Sequence, residues 1–307
     1  MKVIDVHTHG IGGYDTRTTD VEHILKIAEI QGSYGVNEII PAIYPAPLRV
    51  MKDSLALIKK AMELQDSNPL LKAEFRTDKY GDSEDRRPAR ILGAHLEGPF
   101  LNPSKCGSLN AMTFIEPTHS NFDRLVEGFE DIIRIITISP ELEGALPLIR
   151  RITDMGIIAS MGHSEATYAQ AEAGHKAGAK GVTHLFNAMR PFHHREPGLA
   201  IYALLNRDIY VEVIADPFHL HRGAIELIFR TKPIDRIIIV SDSIKEAKVP
   251  ATPFSTYSGL TDAHGRLLGG SMPVTEAADA LSEILGDAYD RDRIFDCISA
   301  NPARYLS

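Results

Sequence analysis

The chain has 307 residues, enough for one large domain or two ordinary ones, and its 44% hydrophobic and 24% charged residues are typical of a globular protein. A formal net charge of −8 argues against nucleic acid or an anionic membrane as a partner. The two cysteines stand in unrelated contexts, and neither a signal peptide nor an apolar run of about 20 residues is evident. We therefore expect a soluble, cytoplasmic protein with free thiols that binds neither nucleic acid nor membrane.

Two histidines follow the first predicted strand, which covers residues 3–6. Residues two apart in a strand share a face, so His7 and His9 are expected to point the same way. Taken alone, this H-x-H pattern is a weak signal, because a histidine at a strand end is more often a hydrogen-bonded structural residue than a ligand.

Short segments rich in Ile and Val then alternate with amphipathic helical patterns. Seven of eight predicted strands cover residues 3–6, 38–44, 91–96, 132–138, 156–161, 209–215 and 236–240, and the sixth in chain order ends in T-H-L-F-N. Strands of this kind are buried on both faces, which predicts an α/β fold, a single (β/α)8 TIM barrel. A doubly wound sheet is the alternative, but no G-x-G-x-x-G motif follows the first strand.

Two stretches depart from this alternation. Residues 66–90 are polar and charged, and we interpret them as a surface excursion, because a run of charges is usually a solvated face. Residues 257–271 are predicted to form a β-hairpin. One barrel of about 250 residues plus such loops accounts for the whole length, so residues 1–307 are predicted to form one domain.

Residues 156–189 are predicted to form a strand, helix, strand unit. In a parallel sheet the carboxyl ends of both strands lie at the same edge, so His163 and His184 are expected to emerge side by side. Glu97 follows strand three, His219 follows strand seven and Asp242 follows strand eight. Imidazoles and acids that converge at this rim would repel or stay unsatisfied without a cation, so the pattern predicts a divalent metal site.

The residue types suggest how metal would be held. Glu97, His163 and His184 form a site of one carboxylate and two imidazoles with a position open for water. His7 and His9 could complete a second site, with Glu97 bridging two metals and Asp242 completing the shell. One or two ions per chain are therefore expected, and Zn, Fe, Co and Mn all suit such ligands.

The metal would lower the pKa of its bound water toward about 7 and polarise a carbonyl. Asp242 is placed to take the proton from that water and pass it to a leaving amine, and the alternative is a helix cap before Lys245. His95 shares a face with Glu97, and we interpret it as a structural residue of the barrel interior.

Other polar residues suggest a substrate site. Arg195, in a loop with two histidines, suits a phosphate or carboxylate of the substrate, and the alternative is a salt bridge to Glu196. His219 is a candidate for contact with the substrate or the metal-bound water. Ser271, which ends G-G-S before a helix, could offer backbone N–H groups to an anion, or could simply end a hairpin.

Eight segments in chain order are DVHTHG, HLEGPFLNPSKCG, SPE, GHSEAT, THLFNAM, HHREPG, ADPFH and VSDS. In these segments the chain resembles the N-acetylglucosamine-6-phosphate deacetylase family of the amidohydrolase superfamily. The resemblance implies metal-dependent amide hydrolysis that releases acetate from an anionic N-acetyl amino sugar phosphate, in a homodimer whose residues cross into the neighbouring site. It carries over the metal ligands Glu97, His163 and His184, the catalytic Asp242 and the substrate-facing residues Asn187, Ala188, Arg195 and His219.

The chain also departs from the family pattern. Family members carry a small β-sandwich built from both chain ends, and we expect that domain to be lacking here. Leu109 stands where the family has a histidine near the substrate. These departures leave two alternatives open: an amidohydrolase acting on another N-acyl or cyclic amide, or a barrel that has lost activity and serves as a binding subunit.

Overall fold

The computed structural model describes residues 2–68, 87–249 and 259–307. Eight parallel strands pair in chain order, each with the next. We label them β1 (Ile4–Thr8), β2 (Glu38–Ile43), β3 (Ala94–Leu96), β4 (Ile133–Ile138), β5 (Ile158–Met161), β6 (Gly181–Val182), β7 (Tyr210–Ile214) and β8 (Ile237–Val240).

The ring closes where β8 meets β1. Thr8 and Ser243 form a parallel bridge, and the Asp242 N–H donates to the His7 carbonyl at 2.9 Å. The buried Asp5 carboxylate reinforces the seam, because it accepts the backbone N–H groups of His7 and Ser241, each at 3.2 Å. The predicted (β/α)8 barrel is confirmed.

Helices follow most strands and cover the outside of the barrel. They are α1 (Val21–Ser33), α2 (Leu48–Ser67), α3 (His119–Val126), α4 (Ala145–Asp154), α5 (Tyr168–Lys176), α6 (Gly198–Leu205), α7 (Arg222–Thr231), α8 (Val274–Leu285), α9 (Arg291–Asp296) and α10 (Ala300–Leu306). Local capping explains where two of them begin. Asp20 accepts the Glu22 N–H before α1, and Thr167 and Gln170 form a capping box at α5.

Apolar side chains pack in two layers. One fills the barrel interior, where Tyr305 of α10 is fully buried among residues of the strands, and the larger one lies between the strands and the helices. This double burial is the reason why the strands are apolar on both faces. In the part of the chain that the structure describes, no helix is both long and apolar enough to cross a membrane.

The elements differ from the sequence-based expectation in three places. The third strand is interrupted between Arg90–Ile91 and β3, where Gly93 has φ +146° and a Cβ would lie 2.2 Å from the Ile132 carbonyl. The sixth strand keeps only Gly181–Val182, because the chain turns at once. The sequence over residues 291–306 predicts one closing helix, whereas the structure has two, α9 and α10.

The two predicted excursions fall partly outside the described residues. Positions 69–86 of the polar stretch and positions 257 and 258 of the hairpin belong to the undescribed parts. Within the described part of the hairpin, Thr261 pairs with Leu267 in antiparallel fashion, and the Leu268 N–H donates to the Leu260 carbonyl at 2.7 Å.

Candidate metal centre

Three side chains from the ends of different strands meet at one point. Glu97 follows β3, His163 follows β5 and His184 follows β6, and all three are buried. Glu97 Oε1 lies 3.0 Å from His163 Nε2 and 3.2 Å from His184 Nε2, and the two imidazole nitrogens are 3.1 Å apart. The barrel therefore brings together the three residues that the sequence predicts as a metal site.

The chemistry of these three atoms fits a divalent metal. His163 Nδ1 donates to the Lys105 carbonyl at 2.8 Å, so its Nε2 keeps a lone pair directed at Glu97 and His184. Donors bound tetrahedrally at about 2.1 Å from one ion lie about 3.4 Å apart. The observed separations of 3.0 to 3.2 Å are close to that value, so the three atoms could share one ion.

A second group lies beside the first. His7 Nε2 and His9 Nε2 are 3.3 Å apart, and each is 3.4 Å from Asp242 Oδ1. His9 Nδ1 donates to the Ala42 carbonyl at 3.1 Å, which leaves its Nε2 free to bind a cation. The helix cap proposed as an alternative for Asp242 is wrong, because a turn without a helix follows it and its carboxylate faces the histidines.

Glu97 lies between the two groups. Its Oε1 contacts His163 and His184, whereas its Oε2 is 3.1 Å from His9 Nε2. Oε2 is buried and forms no hydrogen bond with the described residues. A buried carboxylate oxygen without a donor is costly unless it binds a cation, so this position suits the bridging role predicted for Glu97.

The backbone is strained where three of these side chains leave their strands. His163, His184 and Asp242 have φ values of +48°, +31° and +44°, in the left-handed region that residues with a Cβ seldom adopt. Each such residue costs about 1–2 kcal/mol, and strain of this kind clusters at functional sites. The packing of the surrounding barrel has to maintain this strained backbone.

Burial and neighbouring charges set the ionisation of the centre. Burial raises the pKa of Asp242 well above its usual range, and the charges of Glu97 and Glu212 add to the effect. Burial also acts to raise the pKa of Glu97, but its contacts with histidines, His9 first, outweigh it and hold that pKa well below its usual range. Burial lowers the pKa of His7 well below its usual range, so His7 is neutral, the state that binds metal.

His95 lies close to His7 and Glu212, but it belongs to neither of the two groups described above. Its Nδ1 donates to the Val6 carbonyl at 3.2 Å, and its Nε2 accepts from the Thr137 hydroxyl at 2.8 Å. Burial, with His7 nearby, lowers the pKa of His95 to about 3. Both ring nitrogens are engaged by neutral partners, which supports its interpretation as a structural residue.

A cavity of about 210 Å³ opens above the centre. Three of the predicted substrate residues line it: Asn187, Ala188 and His219. Its wall also includes Leu109, at the position where the family resemblance calls for a histidine. The wall is therefore more apolar there than the resemblance implies.

Two other predicted substrate residues, Arg195 and Ser271, are not among those that line the cavity. Arg195 lies on an exposed loop with its Nη1 3.1 Å from His194 Nε2. The alternative salt bridge to Glu196 is not present, because the Glu196 carboxylate accepts the backbone N–H groups of Tyr168 and Gly198 instead. Contact of Arg195 or Ser271 with substrate stays a prediction.

The sequence reasoning missed several residues of the cavity wall. Tyr44 stacks on His9 with ring centroids 3.8 Å apart, and its place at the end of the second predicted strand was the only signal that could have revealed it. Arg266 and Leu268 reach the wall from the hairpin, which is tied to the loop after Glu97 by a hydrogen bond from Ser108 Oγ to the Leu268 carbonyl at 3.3 Å. No local sequence pattern predicts that Arg266 and Leu268 reach the cavity wall.

A parallel eight-stranded barrel with candidate imidazole and carboxylate ligands at its carboxyl rim has the architecture of the metal-dependent amidohydrolases. The chain is similar to N-acetylgalactosamine-6-phosphate deacetylase of Escherichia coli O157:H7, with 29% identity over 311 aligned positions that cover 99% of the chain and 76% of the relative. It is 34% identical over 246 positions to N-acetylglucosamine-6-phosphate deacetylase of Bacillus subtilis (strain 168), which covers 79% of the chain and 57% of that protein.

The fold comparison agrees. The crystal structure of N-acetylglucosamine-6-phosphate deacetylase from Thermotoga maritima superposes with a TM-score of 0.81 at 26% identity, over 99% of this chain and 77% of that one. No family model matches the chain. The chain belongs to the N-acetylglucosamine-6-phosphate deacetylase family. It spans little more than half of the Bacillus relative and about three quarters of the Escherichia coli one.

Proposed function

We propose that the protein is a metal-dependent hydrolase that removes the acetyl group from an N-acetylated amino sugar phosphate. The observation that carries this proposal is the meeting of Glu97, His163 and His184 within 3.2 Å of one another, with Asp242 beside them. The names of its relatives support the reaction class, and they differ in the sugar, which is glucosamine in one and galactosamine in the other.

The residues divide the work of amide hydrolysis. A divalent metal held by Glu97, His163 and His184, with a second on His7, His9 and Asp242, would supply an acidified water and polarise the amide carbonyl. Asp242 then takes the proton of the attacking water and delivers it to the leaving nitrogen.

His219 is oriented by a neighbouring acid so that it can contact the substrate. Its Nδ1 donates to the Asp216 carboxylate at 2.9 Å, which fixes the ring and leaves Nε2 available, and the residue lines the cavity. With the proton on Nδ1, which faces a buried carboxylate, the ring presents the lone pair of Nε2, which can accept a hydrogen bond from the substrate. His219 therefore binds and orients the substrate.

Arg266 is proposed to bind the phosphate of the substrate. Of the described residues that line the cavity, it is the only arginine or lysine. Its Nε donates to Asp262 Oδ2 at 2.8 Å, which orients the guanidinium, while its Nη atoms make no hydrogen bond with the described residues. An oriented guanidinium with free N–H groups suits a phosphate.

Arg195 remains a second candidate for the phosphate. It is exposed on the loop before α6, beside Phe192, which is 61% exposed. The family resemblance implies a homodimer in which residues cross into the neighbouring site, and an exposed arginine is suited to that role. In this arrangement Arg195 would act on the cavity of the second copy.

The proposed function is tested by the choice of substrate. The metal-loaded protein is expected to release acetate from N-acetylglucosamine-6-phosphate or N-acetylgalactosamine-6-phosphate, and much more slowly from the unphosphorylated sugars, because the phosphate supplies binding energy. Acetate and free amine would both be measured, with chelator-treated protein as the control. The proposal would be refuted if the metal-loaded protein cleaved neither of the two phosphorylated sugars.

The Arg266→Met variant is expected to raise KM for the phosphorylated sugar by about 10- to 100-fold, because a hydrogen bond to a charged group contributes about 1.5–3 kcal/mol. The change in kcat should be much smaller, since in its assigned role Arg266 contacts the phosphate and not the amide. Steady-state kinetics would measure both constants, with Arg222→Met on the exposed face of α7 as the matched control. An effect of Arg195→Met instead, with none from Arg266→Met, would assign the phosphate to Arg195.

A further inference from the structure

Glu212 is a buried acid that the proposed reaction does not use. It lies in the middle of β7, only 1% exposed, with its side chain inside the barrel beneath the metal centre. Its Oε2 is 3.2 Å from His7 Nδ1, and its Oε1 has no hydrogen-bond partner among the described residues. A carboxylate is rarely buried in this way unless it is paired, so its contact with His7 requires a reason.

The contact determines which nitrogen of His7 carries the proton. A carboxylate accepts hydrogen bonds, so His7 Nδ1 carries the proton and Nε2 keeps a lone pair. That Nε2 is the atom that lies 3.3 Å from His9 Nε2 and 3.4 Å from Asp242 Oδ1. Glu212 therefore holds His7 in the tautomer and orientation that a metal requires.

The other candidate ligands are held differently. The Nδ1 atoms of His9 and His163 face the carbonyls of Ala42 and Lys105, and His184 Nδ1 has no hydrogen-bond partner among the described residues. Among the four candidate histidine ligands in the described chain, His7 is thus the one whose Nδ1 contacts a carboxylate. A carboxylate makes an imidazole a stronger metal donor than a carbonyl does, because it stabilises the positive charge that the ring acquires.

We propose that Glu212 is a positioning residue for the metal on His7, His9 and Asp242, and that this metal depends on it far more than the metal on Glu97, His163 and His184 does. The inference rests on the two-metal centre of the proposed function. The backbone of Glu212 supports the first site, since its carbonyl accepts the Leu185 N–H at 2.8 Å, next to His184. A change of the side chain leaves that bond in place, so the two sites should respond separately.

The Glu212→Gln variant tests this assignment by metal binding alone. Apo-protein would be titrated with Co²⁺ and with Zn²⁺, and ions would be counted by elemental analysis and by competition with a chelator. We expect the wild type to bind two ions, and the variant to bind one ion normally and the second about 10- to 100-fold more weakly. Glu212→Asp, which keeps a carboxylate, is expected to restore part of the lost affinity, and it serves as the test if the Gln variant does not fold.

Thr137→Val is the matched control. It removes a buried polar partner of a histidine in the same barrel interior, the hydroxyl 2.8 Å from His95 Nε2, and it should leave both ions bound as in the wild type. Normal affinity for both ions in Glu212→Gln, or equal weakening of both, would overturn the proposal. A single ion in the wild type itself would overturn the two-metal centre on which it rests, while the deacetylase assay judges the reaction separately.

Discussion

The Asp242→Asn variant is expected to lose about 10²–10⁴-fold or more in kcat while it keeps metal on Glu97, His163 and His184. An amide of the same shape preserves the contacts near 3.4 Å with His7 and His9, but it can neither take a proton from water nor return one to the leaving nitrogen. Acetate release and metal content would be measured on the same samples.

The control for this variant is Asp235→Asn, which changes an exposed acid far from the rim and should leave turnover unchanged. Metal content distinguishes the assigned role from a purely structural one. If Asp242→Asn turned over substrate at the wild-type rate, Asp242 would not be the proton carrier. If it lost activity only because all metal was lost, its role would be that of a ligand.

The Glu97→Gln variant is expected to lose metal binding, which precedes catalysis, because Glu97 contacts both groups of candidate ligands. Loss of this carboxylate removes the negative charge that offsets the metal, so affinity should fall by more than the about 10- to 100-fold typical of an outer-shell residue. Added Zn²⁺ raises the Tm of a protein that binds it in the folded state. The wild type should show that rise, whereas Glu97→Gln should show little or none and no detectable turnover.

Glu38→Gln is the matched control for this second prediction. Glu38 is a buried acid at the start of β2, on the rim of the barrel opposite to the metal centre. Its replacement should leave the Zn²⁺-dependent rise of Tm as in the wild type. A full rise of Tm in Glu97→Gln would contradict the assignment of Glu97 as the bridging ligand.

Most of the barrel and the candidate ligand set could be predicted from the sequence, for a simple reason. Strands separated by helices run parallel, so their carboxyl ends lie at one rim, and the residues just after each apolar segment can be read directly. His7, Glu97, His163, His184 and Asp242 all stand at such positions. This rule located the residue even where the strand is shorter than expected. At β6 the strand ends two residues before His184.

Residues of the cavity wall were harder to predict because they depend on loops. Arg195 has the chemistry of a phosphate ligand, yet its loop leaves it exposed outside the wall of its own cavity. Arg266 has no motif around it, and only the fold of the hairpin over the rim brings it there. Loop conformation follows from packing against the rest of the structure, which the local sequence does not encode.

The strand order, the rim on which the acids and imidazoles gather and the family of the chain all follow from the amino-acid sequence alone. The partner that contacts the far side of each candidate ligand depends instead on the folded barrel. Glu212 and His7 are 205 positions apart, and they meet because the tilt and stagger of the closed barrel bring the interior of β7 beneath the end of β1. The positive φ values at His163, His184 and Asp242 have the same origin, since the packed barrel maintains a strained backbone that no local preference would select.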